Sequence, residues 1–210
     1  MPPPPTIQPP APEVAATPPP IEVPENAPAL WVQFGKASWY GPPYHNRKAA
    51  NGEVFDMNAM TAAHLTLPLN TIVRVTNEKT GHSAIVRITD RGPFVENRII
   101  DLSMAAAKAV DVWRPGTALV KVEVLETRAS IRTGGRWAVQ LGGFRDEELA
   151  RKVQSKLQQR YSKAKVLAFP SPVGDWWVRV RVPADDKYIA GDVAKNSPAP
   201  PELTFLVRLD

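Results

Sequence analysis

Hydrophobic and polar residues alternate in short runs from Leu30 to Glu126, and turn-forming residues separate the runs. In 70–77 (NTIVRVTN), Ile72, Arg74 and Thr76 alternate with Val73 and Val75, the period-two pattern of a half-buried strand. The turn Glu78-Lys79-Thr80-Gly81 leads into a similar run over 83–89, so the two read as a hairpin. A third strand is expected over 98–102. It meets a short helix over 104–110 that Ser103 is placed to cap. Arg114-Pro115-Gly116-Thr117 turns into a final strand over 118–125. Many short strands and one small helix in such a stretch suit a compact barrel.

The rhythm changes after a polar stretch, 127–135, that contains Gly134-Gly135. Residues 137–141 (WAVQL) read as a strand, and Asp146 can cap a helix in which Leu149, Val153, Leu157 and Tyr161 recur every four residues. Strands are expected over 165–169 and 176–182, a weaker helix over 185–195, and a last strand over 203–209. The order βαββαβ resembles a split βαβ sandwich, one sheet with helices on one face. Along 176–182, Trp176, Val178, Val180 and Val182 share the face suited to helix packing, while Trp177, Arg179 and Arg181 share the other. Gln140 has the same outward parity. An aromatic, an amide and guanidiniums on one face suit a sugar polymer that bears carboxylates. The same description fits an RNA-binding sheet, or a face that is simply solvated.

Composition narrows the setting. The chain has 23 prolines in 210 residues, and a large share fall in the first 28, which carry almost no large apolar residue. Such a stretch cannot bury enough surface to offset its ordering entropy, so it is expected to be extended and partly polyproline II, a spacer. There is no cysteine, which excludes disulfides and thiolate metal sites. Nothing near Met1 reads as a signal peptide and no apolar run is long enough to span a membrane, so the chain is either cytosolic or the product of a removed targeting segment. The net charge is +5 and the isoelectric point near 9.6, compatible with nucleic acid, an anionic membrane or an acidic wall polymer.

Two stretches concentrate reactive groups: 50–57 (ANGEVFDM) with the following 61–64 (TAAH), and 90–94 (DRGPF) at a strand end. Asp90 follows an apolar strand, where partial desolvation would raise its pKa and suit it to general-acid work. Asp-Arg-Gly-Pro is equally the signature of an ordinary turn. His64, on a short turn or helix, reads by itself as a structural histidine. Glu53, Asp56, His45 and His64 match no established zinc or calcium spacing, so neither a metal nor any other cofactor is expected.

The blocks 37–41 (ASWYG), 50–57, 60–64 (MTAAH), 66–68 (TLP), 73–77 (VRVTN), 90–94 and 98–103 (RIIDLS) resemble the RlpA family of bacterial cell-wall proteins over residues 34–126. That resemblance implies a double-psi β-barrel, as in expansins, and a site made of Glu53, Asp56, His64 and Asp90, with Asp90 as catalytic acid and the other three orienting the sugar and tuning it. Ala49 and Asn46 depart from the family's usual small hydroxyl residue and glycine. Residues 139–144 (VQLGGF), 177–180 (WVRV) and 205–209 (FLVRL) resemble SPOR domains, which bind peptidoglycan strands stripped of their peptides. This implies Gln140, Trp177, Arg179 and Arg181 as substrate-binding residues. The expected organisation is a Pro-rich linker (1–29), a catalytic barrel (30–127), a hinge (128–133) and a SPOR domain (134–210).

The function implied is a lytic transglycosylase that cleaves peptide-free glycan strands to 1,6-anhydro products at the septum, with a non-catalytic, expansin-like wall protein as the alternative. Expected partners are denuded glycan strands and divisome or other wall-remodelling proteins, with no nucleic acid. Membrane attachment is expected only through a lipid anchor that this chain lacks, in a periplasmic, outer-membrane lipoprotein whose mature region begins with the Pro-rich stretch.

Overall fold

The computed structural model describes residues 27–210, so the expected Pro-rich spacer lies, up to residue 26, outside the described residues. The first unit is a closed six-stranded barrel. Its strands are β1 (Trp31–Trp39), β2 (Thr61–Ala63), β3 (Ile72–Asn77), β4 (Ser83–Asp90), β5 (Arg98–Leu102) and β6 (Ala118–Glu126). They run in the order β1-β5-β2-β4-β3-β6, and antiparallel pairing of β1 with β6 closes the ring. Two pairs, β1 with β5 and β2 with β4, are parallel. The period-two pattern is what closes the barrel: Val73, Val75, Val86, Ile88, Ile100, Leu102, Val120, Val122 and Val124 all point inward and are fully buried.

Helix α1 (Met104–Ala109) packs Ala106 and Ala107 into this core. Ser103 caps it as expected, accepting from the Ala106 amide at 3.1 Å while donating to the Ala59 carbonyl at 2.6 Å. Thr61–Ala63, read from sequence as a turn or helix leading to His64, is instead the short strand β2. All three of its residues are buried, so no alternation marks it.

The second unit is a four-stranded antiparallel sheet in the order β10-β7-β9-β8, built from β7 (Trp137–Phe144), β8 (Lys165–Pro170), β9 (Trp176–Arg181) and β10 (Thr204–Arg208). Helices α2 (Glu147–Arg160) and α3 (Lys187–Lys195) cover one face, completing the βαββαβ order. Asp146 caps α2 through the Leu149 amide at 2.7 Å. The buried row of α2 differs from expectation: Ala150 and Leu157 are fully buried, whereas Leu149 is 46% exposed. One residue is 100° around a helix, so alanine at 150 holds the place that the larger leucine suggested. Asp186 caps α3 through the Tyr188 and Ile189 amides, and Asp185 is engaged by Arg181 and Arg136.

The other face of the sheet lies against the barrel. Trp177 meets Phe94 of the barrel with ring centroids 4.9 Å apart, and Phe94 meets Phe205 of β10 at 5.5 Å. A Cβ at Gly142 would stand 2.3 Å from the Trp177 ring, so glycine is what lets the indole lie down on the neighbouring strand. Polar staples reinforce the contact. The Arg208 amide donates to the Leu65 carbonyl at 3.0 Å, and Arg91 donates to the main-chain oxygens of His64, Leu67 and Asp210 at 2.9, 2.8 and 2.8 Å. Within the stretch 128–133, expected to act as a hinge, the Ser130 carbonyl accepts from buried Arg208 at 2.7 Å.

Candidate active site

Between barrel and sheet lies a cleft of about 910 Å³, with Tyr40, Tyr44, Asp90, Arg98 and Asp101 on the barrel side and Gln140, Trp177 and Arg179 on the sheet side. Asp90 is the last residue of β4. One oxygen, Oδ1, accepts from the Ala50 amide at 3.0 Å and from the Arg91 amide at 2.8 Å. Oδ2 has no hydrogen bond among the described residues. Burial raises the Asp90 pKa, outweighing the two amides, Arg91 and Arg179, which all favour the charged form. The result is a carboxyl fixed by one oxygen, biased toward its protonated form, with the other oxygen available to the cleft.

Asp101, on β5, is the second partly buried carboxyl of the cleft. Its Oδ1 accepts from Ser38 Oγ at 2.5 Å and its Oδ2 from Arg98 Nη2 at 3.3 Å, and burial again raises its pKa. Tyr40 stacks on Phe55 at 4.3 Å. Its phenol is held well above the ordinary value by burial, then by Asp90 and Asp101, which marks its place beside both acids. None of Asp101, Tyr40, Tyr44 or Arg98 stood out as a candidate in the sequence. The available signal was parity: Ile100 and Leu102 point into the barrel, which leaves Asp101 on the opposite side of β5.

The other three residues of the implied set lie elsewhere. Glu53 forms a two-pronged pair with Arg87 at 2.8 and 2.7 Å, remains 54% exposed and has its pKa lowered, chiefly by that hydrogen bonding. Asp56 caps a turn through the Asn58 amide at 2.9 Å and sits 3.8 Å from His45. His64 is buried beneath the site: Nδ1 accepts from the Thr66 and Leu67 amides at 3.2 and 3.0 Å, so Nε2 carries the proton and donates to Gln33 Oε1 at 3.1 Å. Burial, and next Arg91, lower its pKa to about 3, so it is neutral. Its amide donates to the Asp90 carbonyl at 3.1 Å, and in this way it steadies the strand end that carries the acid. Glu53 ties the loop from which the Ala50 amide reaches Asp90 to Arg87 of β4. Asn46, where the resemblance led us to expect glycine, has φ of 62°, a left-handed conformation that asparagine tolerates.

On the sheet side, Gln140 Oε1 accepts from Arg179 Nε and Nη2 at 3.1 and 2.6 Å. Arg181 is not among the residues that line the cleft and pairs with Asp185 at 3.0 and 2.6 Å. Among the described residues no cluster of three or more histidine, aspartate or glutamate side chains is arranged to hold a metal ion.

This architecture matches known families in both halves. Residues 32–122 match the double-psi β-barrel family described as lytic transglycolase, and residues 133–194 match the SPOR domain. In both halves the chain is similar to proteins of the RlpA family. A Helicobacter pylori protein named endolytic peptidoglycan transglycosylase RlpA is 43% identical over 153 residues, covering 59% of this chain and 48% of that protein. Proteins of the same name from Neisseria meningitidis and Pseudomonas aeruginosa are 57% identical over 100 residues (48% of this chain, 42% of theirs) and 52% over 103 residues (49% and 30%). The chain thus spans about half the length or less of these RlpA relatives.

Proposed function

We propose that this chain is a peptidoglycan lytic transglycosylase of the RlpA type, with Asp90 as its acid. One observation carries the reading: of the four residues implied by the resemblance, Asp90 alone lines the cleft, and burial raises its pKa. A protonated Asp90 donates its proton to the oxygen linking N-acetylmuramic acid to N-acetylglucosamine as the C1–O4 bond breaks. The carboxylate so formed takes the proton of the muramic acid C6 hydroxyl, whose oxygen closes on C1 to give the 1,6-anhydro ring. Protons balance and no water is consumed, so the spaced carboxylates of an inverting hydrolase are not required. Asp101, negative when ionised and lining the same cleft, is placed to offset positive charge at the anomeric carbon.

The relatives' shared name, endolytic peptidoglycan transglycosylase, supports the reaction class, and the SPOR match supports a cell-wall setting. The finer localisation we propose is an outer-membrane lipoprotein concentrated at the septum, working with divisome proteins. The deciding experiment is mass spectrometry of peptide-free glycan strands after incubation with the chain. Fragments with 1,6-anhydro ends are expected. Reducing muramic acid ends would indicate hydrolysis, and intact strands a barrel that binds without cutting.

A further inference from the structure

We infer that one glycan strand occupies barrel and sheet at once, in a single groove where Arg179 of the sheet reads the free lactyl carboxylate of muramic acid opposite Asp90 of the barrel. The inference rests on the glycan reading above and changes what the second unit does: it becomes a wall of the reaction site instead of a remote tether.

Three observations carry it. First, the sheet face implied to bind glycan is not an open platform. Gln140 is 3% and Trp177 8% exposed, and the barrel's Phe94 covers the indole, so what remains reachable of this face opens into the cleft that holds Asp90. Secondly, Arg179 is prepared for a planar anion. Two of its nitrogens are fixed on Gln140 Oε1, the guanidinium stands 5.2 Å from the Phe169 ring centre, and Nη1 has no hydrogen-bond partner among the described residues. A guanidinium held in this way has lost its freedom before the ligand arrives, which favours charge-assisted recognition of a carboxylate. Thirdly, the two walls are electrostatic neighbours. Arg179 favours the ionised form of Asp90, and Asp175 of the second unit helps raise the phenol pKa of Tyr44 on the barrel. Asp175 is itself anchored by the Trp177 indole N–H at 3.0 Å.

The chemistry selects a substrate class. In a peptide-free strand each muramic acid ends in a lactyl carboxylate, whereas a stem peptide turns that carboxylate into a neutral amide and adds bulk. A rigid guanidinium beside the acid favours the first and leaves the second unpaired in a confined space. Preference for denuded strands is then set where the bond breaks.

The test uses the full chain carrying Asp90→Asn, to prevent turnover, and a peptide-free tetrasaccharide, titrated by calorimetry. One tetrasaccharide per chain is expected. Adding Arg179→Met, or separately Tyr44→Ala on the opposite wall, should weaken that same event by roughly tenfold or more. Arg179→Lys should recover part of the loss, and melting curves should show each variant folded. The same tetrasaccharide bearing stem peptides should bind at least roughly tenfold more weakly. Two tetrasaccharides per chain, no binding, or an affinity indifferent to Arg179→Met would overturn the shared groove. Failure of the wild type to release anhydro ends would sink the cleavage reading instead, and the stoichiometry would stand.

Discussion

Asp90 and Glu53 grip the same short loop, and their surroundings push them in opposite directions. Asp90 reaches the loop through the Ala50 amide, and burial raises its pKa. Glu53 belongs to the loop, is 54% exposed, and its pKa is lowered by Arg87. The first is fitted to hold a proton and pass it on. The second is fitted to stay ionised and hold a strand in place. Two carboxylates that meet at one loop thus divide into a proton-holding group and a brace, and environment makes the division.

The sharpest way to break that comparison is to neutralise each carboxylate in turn. Asp90→Asn is nearly isosteric and should cost about a hundredfold or more in release of anhydro ends, with an unchanged melting profile. Glu53→Gln should leave cleavage within a few-fold of wild type. Equal losses in the two variants would erase the distinction between acid and brace.

A smaller effect concerns the histidine beneath the acid. His64 has a pKa of about 3 in the fold against an ordinary value of 6.5, so the unfolded chain binds the extra proton first on acidification. Its contribution to stability is complete above about pH 6.5 and is lost as the solution is acidified from there to about pH 3, at a limiting slope of roughly 1.4 kcal/mol per pH step of one. Denaturant titrations across that range should show the slope, and His64→Gln should flatten it. A slope unchanged in the variant would mean that other groups carry the acid sensitivity.

Smallest of all is the brace itself. Because half of Glu53 is in water, its pair with Arg87 should contribute only about 0.5 kcal/mol, measurable as a slight fall in melting temperature of Glu53→Gln. The wild-type rate should decline on the alkaline side as Asp90 loses its proton, at a higher pH than an ordinary aspartate would, and Glu53→Gln should leave that limb in place.

Periodicity made the barrel's hairpin strands, its capped helix and the βαββαβ order of the second unit legible, because each buries one face only. What it could not reveal were elements that break that rule. Strand β2 is buried on all sides, and in β1 Val32 and Phe34 are exposed, so neither shows polar-out alternation. Asp90 was visible as an acid at a strand end. Asp101 was hidden in plain view, since a lone polar residue between Ile100 and Leu102 reads as the solvent side of a strand until another unit closes over it. The same blindness applied to Trp177 and Arg179. Alternation gave their shared face correctly but says nothing about what that face meets, because docking is decided by residues as distant as Phe94.

Arg91 follows the acid directly in the chain, yet its side chain is spent on fastening. It grips the barrel at His64 and Leu67 and the second unit at Asp210. A shift of the second unit against the barrel would tug on this fastening, and the pull would arrive one peptide bond from Asp90. Displacement between the two units would in this way reach the cleft through the protein's own backbone, with no messenger between.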